Sequence, residues 1–596
     1  MSSTIIPPEG KGPSRRDRAK ILEYKKKRDA EEENFYALEV QDFDKVEYRP
    51  YDTKEEKKED LPKIDFFVDK IYMQRIVDDP TKILVTAYID YGFLKSNKVN
   101  LLVDVDKKHP FKSKAKGSCM IHLFNAELCE IAEIPMKHSS EFQYHPVTSA
   151  PELFLGLIEE LQEKKNYYYR IECFDENKKL IGSSRIKQFT AGVHNQKNPT
   201  FFVSVSDIHA GNKAKFKRGK VRGCKPRTTE KLDELMLNIN LKELDYTFNK
   251  GYQAFTTSGD NVDNGSYHEY WADLFTCGSA VLSRIPFVPT LGNHGYFNGG
   301  IGRGAWFGGK KRTQKHFHMF VQTPKKEGGA YYSHTEGNVL MIHLDTVGLN
   351  WGNERIDCES RQWKWLFNVL KEWRKNRAQG KGPQFCIVYL HSAILTVGMY
   401  GLTRNNSDAF AQTTLTPLFD SFGVTAAIYG HDHVYQRSQN NDTTYICIGV
   451  SSKGTRNIFD NAIDNAGYDI QCCVEGDQAR GYAVTYVPPN LKTMADCEKQ
   501  EFEQWLGSIK QTILDGDLLK YYKFDEGRES PKYKELMSND IKKLEFIQNE
   551  IIDKMRTDIW FRFYNVKGVL NDQTFLKSIT LKEVFETPKC PNEHIR

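Results

Sequence analysis

Apolar residues fall in short alternating runs over the first third of the chain and in longer, fully apolar runs after that. Between Lys63 and about Gly192 the runs are Ile83-Leu84-Val85 with Tyr88, Leu101-Leu102-Val103, and Tyr167-Tyr168-Tyr169 with Ile171, broken by polar turns such as Asp175 to Lys179. Runs of this length, rich in β-branched and aromatic residues, predict strands. They make a small antiparallel sandwich, with one helical insertion near Leu153 to Gln162. From Asn198 the texture changes. Phe201 to Val205, Phe255 to Ser258, Phe287 to Leu291, Val339 to Leu344, Phe385 to Leu390 and Val424 to Tyr429 read as buried strands. Between them, Glu230 to Phe248, Tyr267 to Arg284 and the segment with Trp363, Leu366 and Leu370 carry apolar residues at helical spacing. This alternation predicts an α/β layered domain whose functional residues sit on loops leaving strand ends. Beyond Pro489 the chain turns helical and charged, Ile541 to Met555 being the most periodic stretch. The aromatic cluster Trp560, Phe561, Phe563 and Tyr564 is expected to pack back onto the core.

The same pattern divides the chain into a charged arm over 1–62, a β-sandwich over 63–192, an α/β domain over 193–488 and a helical extension over 489–596. The arm carries KKKR at Lys25 to Arg28 and KEEKKED from Lys54. Such runs read as solvated segments, with docking of a protein partner through the charged ends as the alternative. A net charge of +5 over 596 residues does not mark a nucleic-acid binder. No apolar run approaches the roughly 18 residues a membrane span needs, so membrane insertion is not expected. Met1 to Lys20 lack the apolar core of a signal peptide. The twelve cysteines show neither disulfide nor zinc-finger spacing. Together these predict reduced thiols and a cytoplasmic location.

Candidate chemistry concentrates where the apolar strands end. SDIHAG places Asp207 and His209 directly after one strand. SGDNVDNG places Asp260 after the next, LGNHG supplies Asn293 and His294, VYLHSA supplies His391, and YGHDHVYQR supplies His431 and His433. Residues two apart on an extended exit point the same way, so a carboxylate and an imidazole, or two imidazoles, reach one ion. Each piece alone is common, and a single histidine at a strand end is more often a hydrogen-bonded structural residue than a ligand. Five in order, each at a predicted strand-to-loop junction, form a constellation. Mixed nitrogen and oxygen donors favour Fe, Zn or Mn over Ca or Mg.

The set Asp207-x-His209, Gly259-Asp260-x-x-Asp263-x-Gly265, Gly292-Asn293-His294, His391 and Gly430-His431-x-His433 resembles the calcineurin-like metallophosphoesterase superfamily. Val388-x-x-His391, Tyr331-Tyr332-Ser333, Gln362-Trp363 and the run ending at Arg437 look closest to its purple acid phosphatase branch. The resemblance covers roughly Lys63 to Pro488. It implies a layered β-sandwich flanked by helices, preceded by a small all-β, fibronectin-like domain and followed by the helical extension. It also implies one metal held by Asp207, His209, Asp260 and His433, and a second held by Asp260, Asn293, His391 and His431. Asp260 is shared, and a bridging hydroxide attacks phosphorus. His294 contacts the phosphoryl group and protonates the leaving group, so Asp260 and His294 are the catalytic pair. Three departures stand out. His209 replaces a glycine of the purple branch, Asp263 replaces its metal-binding tyrosine, and Gly295 replaces the acid that supports His294. Without the tyrosine the protein is not expected to be purple or tied to ferric iron.

Lys213 to Arg227 holds eight basic residues and no acid, and Lys310, Lys311, Arg312 and Lys315 follow the third motif. A charge run of this kind reads either as a solvated loop or as recognition of an anionic substrate, such as a phosphoprotein or another polyanion. Two other functions share the motifs: a catalytically weak phosphatase-fold scaffold subunit of a larger assembly, and a phosphodiesterase or nuclease using the same site. Replacing Lys217, Arg218 and Lys220 together by Gln is expected to raise KM and flatten its salt dependence. An unchanged KM in steady-state kinetics over a salt series counts against substrate recognition there.

Overall fold

The computed structural model describes residues 66–75, 79, 81–89, 103–105, 113–139, 153–193, 195–211, 216–217, 220–221, 252–265, 268–296, 315–322, 330–347, 356, 360–400, 406–451, 455–456, 458, 468–510 and 540–579. Two mixed sheets face each other. The first has six strands in the order Phe287–Pro289, Ala254–Thr257, Thr200–Val205, Gly481–Val487, Ile559–Asn565 and Leu570–Leu576. The second has seven, in the order Tyr332–Glu336, Val339–His343, Phe385–Tyr389, Ala426–Tyr429, Thr443–Ile448, Tyr435–Asn440 and Asp469–Val474. Side-chain alternation along each strand builds the layers. In Thr200–Val205, Phe202 enters the core between the sheets with Met341, Ile387, Ile428 and Phe561. Phe201, Val203 and Val205 point the other way, into an outer core shared with the helices His268–Leu282, Asp496–Lys510 and Asp540–Met555. On the opposite side Leu340, Ile342 and Val388 meet the helices Arg361–Ala378 and Asn406–Phe422. Ser360 caps the first of these by accepting from the Trp363 amide.

The parallel strands Thr200–Val205, Ala254–Thr257 and Phe287–Pro289 all end at one edge. Val339–His343, Phe385–Tyr389 and Ala426–Tyr429 are parallel in the same way. All five motifs therefore leave their strands at this edge. The segments predicted as helix over Glu230 to Phe248 and as the charged arm over 1–62 lie outside the described residues.

Residues 66–190 form a nine-stranded sheet system, largely antiparallel, around its own core of Ile71, Val85, Ile121, Tyr169 and Phe189. The expected helical insertion near Leu153 is instead the strand Leu153–Ile158, paired in register with Ile83–Tyr88. Its apolar run is buried on both faces, a pattern that periodicity alone does not separate from a buried helix. Gly156 lets the Ile121 side chain pack close against this strand.

The extension after 489 is also not wholly helical. Ile559–Asn565 and Leu570–Leu576 complete the six-stranded sheet, because their apolar residues alternate and Phe561 and Phe563 enter the inter-sheet core. Asp572 on the last strand receives a bidentate pair from Arg437 at 2.7 and 3.0 Å and a hydrogen bond from Tyr435 at 2.6 Å. The conspicuous arginine of the fifth motif is thus a structural tie. Among the described residues no helix is long and apolar enough to cross a membrane.

The nine-stranded sheet docks through Tyr72, which stacks on Phe275 at 3.8 Å and donates to the Phe320 carbonyl. Arg75 is buried there, its Nε 2.9 Å from Glu336 and its NH2 donating to the Gln253 carbonyl. Gly192 leaves the room its guanidinium needs. Truncating one partner of a buried ion pair strands the other charge and costs about 3–5 kcal/mol. Arg75→Met is expected to lose that much in denaturant unfolding, and Arg75→Met with Glu336→Leu to recover most of it.

Candidate metal centre

The loops at the common edge are held by backbone bonds before any side chain is considered. His209 N donates to the Asp260 carbonyl at 2.8 Å, Asp263 N to Ala210, and Gly265 N to His294. Five of the predicted ligands have left-handed backbone: Asp207 (φ 49°), His209 (47°), Asp260 (49°), His431 (73°) and His433 (53°). Side-chain-bearing residues pay for this conformation, and it clusters at functional sites. Glycines admit the close approaches. A Cβ on Gly430 would overlap Ser206 and Asp207, one on Gly292 would overlap Asp260, and one on Gly259 would overlap His391.

The side chains converge. Asp207 Oδ1 lies 3.1 Å from His433 Nε2 and 3.5 Å from His209 Nε2. Asp260 Oδ2 lies 3.5 Å from His209 Nε2, 3.3 Å from His391 Nε2 and 3.8 Å from His294 Nε2. Asn293 Oδ1 lies 2.8 Å from His391 Nε2. Three overlapping groups have ligand atoms close enough for an ion: Asp207, His209 and His433; His209, Asp260 and His294; Asp260, His391 and His431. A fourth group, His122, Glu130 and Glu133, lies on the surface of the nine-stranded sheet.

The donor chemistry fits a cation. His391 Nδ1 donates to the Ser258 carbonyl at 2.9 Å, so Nε2 is the nitrogen that faces Asn293 Oδ1 and Asp260 Oδ2. Two oxygens and an imidazole nitrogen thus converge on one place, which either a proton or a cation can occupy. Asp207 Oδ1 is fully buried and receives no hydrogen bond, while its Oδ2 accepts from Ser206 Oγ at 2.7 Å and the His431 amide at 2.9 Å. Burial works against both carboxylates, yet the surrounding imidazoles hold Asp207 and Asp260 below the usual carboxylate range. Burial, with the Arg456 charge, pushes His433 down to about 3. Burial, His391 and Arg456 push His431 down as well, so both stay neutral, as metal ligation requires.

His294 sits in a single 3-10 turn, Asn293–Tyr296, with its amide donating to Asp260 Oδ1 at 2.8 Å. The missing acid at Gly295 does not leave it unsupported. Its Nδ1 donates to the Asp263 carbonyl at 2.5 Å, and Asp263 Oδ1 lies 3.7 Å from it and 3.4 Å from His209 Nδ1. A Cβ on Gly295 would meet Leu291. Lys217 and Lys220 lie on the short pair of strands Phe216–Lys217 and Lys220–Val221, but their side chains and that of Lys315, with the residues Arg218, Lys310, Lys311 and Arg312, are outside what the structure describes.

Three residues beside the site were not among the sequence candidates: Tyr400, Asp432 and Arg456. Asp432 stood between His431 and His433, but a residue pointing away from a motif leaves no periodic mark. Arg456 lies 23 residues after His433 and meets it only in the fold.

Two facing mixed sheets with an Asp, Asn and His cluster along the loops of one edge are the architecture of a metallophosphoesterase. Residues 202–435 match the Calcineurin-like phosphoesterase family, and this part of the chain is such a domain. The chain is similar to the tartrate-resistant acid phosphatases type 5 of Rattus norvegicus, at 21% identity over 226 residues, and of Homo sapiens, at 22% over 227. Each alignment takes in 37% of this chain, and it spans 64% of the rat protein and 65% of the human one. An uncharacterized Mycobacterium tuberculosis protein is 27% identical over 177 residues, 28% of this chain and 31% of its own length. The purple acid phosphatase of yellow lupin (Lupinus luteus) seeds shares the fold with a TM-score of 0.53 at 12% identity, over 85% of this chain and 74% of that one.

Burial disfavours a charged His391, but Asp260 overrides it and the imidazole is pushed up to about 9. Below that pH a proton occupies the place a cation would take. Metal affinity at the Asp260, His391 and His431 group is therefore expected to fall as pH is lowered, by about tenfold per unit for one displaced proton. Zinc calorimetry in two buffers of different ionisation enthalpy reads the released proton directly.

Proposed function

We propose that this protein hydrolyses phosphate monoesters at a dinuclear transition-metal site. The observation that carries the reading is the convergence of Asp260 Oδ2, Asn293 Oδ1 and His391 Nε2, three atoms that ligate metals. Asp207, His209, Asp260 and His433 would hold one ion, and Asp260, Asn293, His391 and His431 the other. Bound ions would neutralise the phosphoryl oxygens and lower the pKa of a water between them. The donor set suits Fe, Zn or Mn, and Asp263 stands where the ferric tyrosinate would be.

The protein's own part is orientation and proton movement. Asp260 Oδ1 is tied to the His294 amide, so its Oδ2 alone faces the site. His294 Nδ1 is engaged by the Asp263 carbonyl, so Nε2 is the atom that faces substrate. From there it contacts the phosphoryl group and delivers a proton to the departing alcohol or phenol. This support for His294 removes one reason for reading the chain as an inactive scaffold. The nine described cysteines lie outside any disulfide, which fits a cytoplasmic protein.

Metal analysis and aryl-phosphate hydrolysis test the reading on wild type, Asp260→Asn and His294→Ala. The expected result is two ions per chain in wild type, loss of ions and turnover in Asp260→Asn, and ions retained in His294→Ala with kcat down about 10²–10⁴-fold. Undiminished turnover in Asp260→Asn would overturn it.

A further inference from the structure

Beside the second group of ligands lies a cluster of stacked and charged side chains with no place in the reaction described above. The Tyr400 ring lies on the His431 imidazole with centroids 3.9 Å apart and planes within 11°. The Arg456 guanidinium lies over the Tyr400 ring, its carbon 4.6 Å from the centroid. Arg456 NH1 also donates to the His431 carbonyl at 2.9 Å, and its backbone amide donates to the His433 carbonyl at 3.2 Å. Asp432, fully buried between the two histidines, gathers the remaining pieces. It accepts from the Tyr400 amide at 3.2 Å and from Thr396 Oγ1 at 2.5 Å, and lies 3.5 Å from Arg456 NH1. Gly398 lets the loop pass, because a Cβ there would collide with the Asp432 carboxylate.

We propose that Tyr400 and Arg456 are positioning residues for the second metal, acting through His431. The need is physical. His431 has left-handed backbone (φ 73°), and its ring direction decides whether its nitrogen reaches the ion. The other imidazoles are oriented differently: His391 by a hydrogen bond to the Ser258 carbonyl and His294 by one to the Asp263 carbonyl. For His431 an aromatic face does this, held in place by the Arg456 cation over the Tyr400 ring and by Asp432 through the Tyr400 backbone. The loop carrying His391 thereby sets the ring direction of the other imidazole ligand of that ion. The Tyr400 ring stacks on His431, a ligand assigned to the second ion, so the stacking acts there.

The inference rests on the dinuclear reading, and one experiment separates the two. Metal content after dialysis and Mn titration followed by electron paramagnetic resonance are measured on full-length wild type, Tyr400→Phe and Tyr400→Leu. Phenylalanine keeps the ring, whereas leucine keeps bulk without a stacking face. Tyr400→Phe is expected to hold two ions as wild type does. Tyr400→Leu is expected to keep the first and bind the second about 10–100-fold more weakly, the usual cost of losing an orienting neighbour. Arg456→Met follows Tyr400→Leu. Wild-type affinity for the second ion in Tyr400→Leu overturns the proposal, as does equal loss in Tyr400→Phe. A wild-type protein that binds fewer than two ions overturns the dinuclear reading itself. Melting of the metal-free proteins, expected to be unchanged, excludes general unfolding as the cause.

Discussion

Asp260 is fully buried, and its Oδ2 faces three imidazoles between 3.3 and 3.8 Å while its Oδ1 is committed to the His294 amide. A carboxylate taken out of water costs several kcal/mol unless opposite charge compensates it. Here the nearest atoms are largely lone pairs, so the compensation has to come from cations, whether protons or metal ions. Much else at this edge follows from that constraint. The left-handed turns at Asp207, His209, Asp260, His431 and His433 bring side chains inward that ordinary strand exits would splay apart. Strain of about 1–3 kcal/mol at such a residue persists only where the surroundings over-determine it. Those surroundings are the paired backbone bonds between the 207–210 and 259–263 loops and the glycines packed beneath them.

The sheets supply the rest. Parallel strands that end together deliver ligands to one edge, and the core between the two sheets keeps the Asp207 and Asp260 loops opposite the His391 and His431 loops. The C-terminal strands belong to this support. Through Asp572 they hold Arg437 and Tyr435 on the strand that follows His433. A segment distant in sequence from every motif thus bears on the geometry of the fifth.

The site is tuned by neighbours of three chemical kinds. Backbone carbonyls orient His391 and His294, an aromatic face orients His431, and Ser206 with the His431 amide fixes Asp207. The loss of the acid after Asn293-His294 is tolerable for the same reason. A carbonyl from another loop, on Asp263, does the orienting that a side chain at 295 would have done.

Much of this was legible in the chain itself. Short apolar runs ending in Asp, His or Asn announced both the strands and the seven ligand candidates, because a ligand must sit where a buried strand surfaces and local pattern records that junction. The helix over Arg361–Ala378 and the helix over Asp540–Met555 were legible from period alone. Leu153–Ile158 was misread because an apolar run buried on both faces has no period to read, and only its pairing with Ile83–Tyr88 makes it a strand. The strands after Ile559 were misread for a related reason: alternation in so aromatic a segment says that it packs, not that a sheet edge awaits it. Tyr400, Asp432 and Arg456 could not be found at all from spacing. Stacking and ion pairing act through space over a few ångströms, and the residues that come within that range are chosen by how the sheets close, which tertiary structure alone decides.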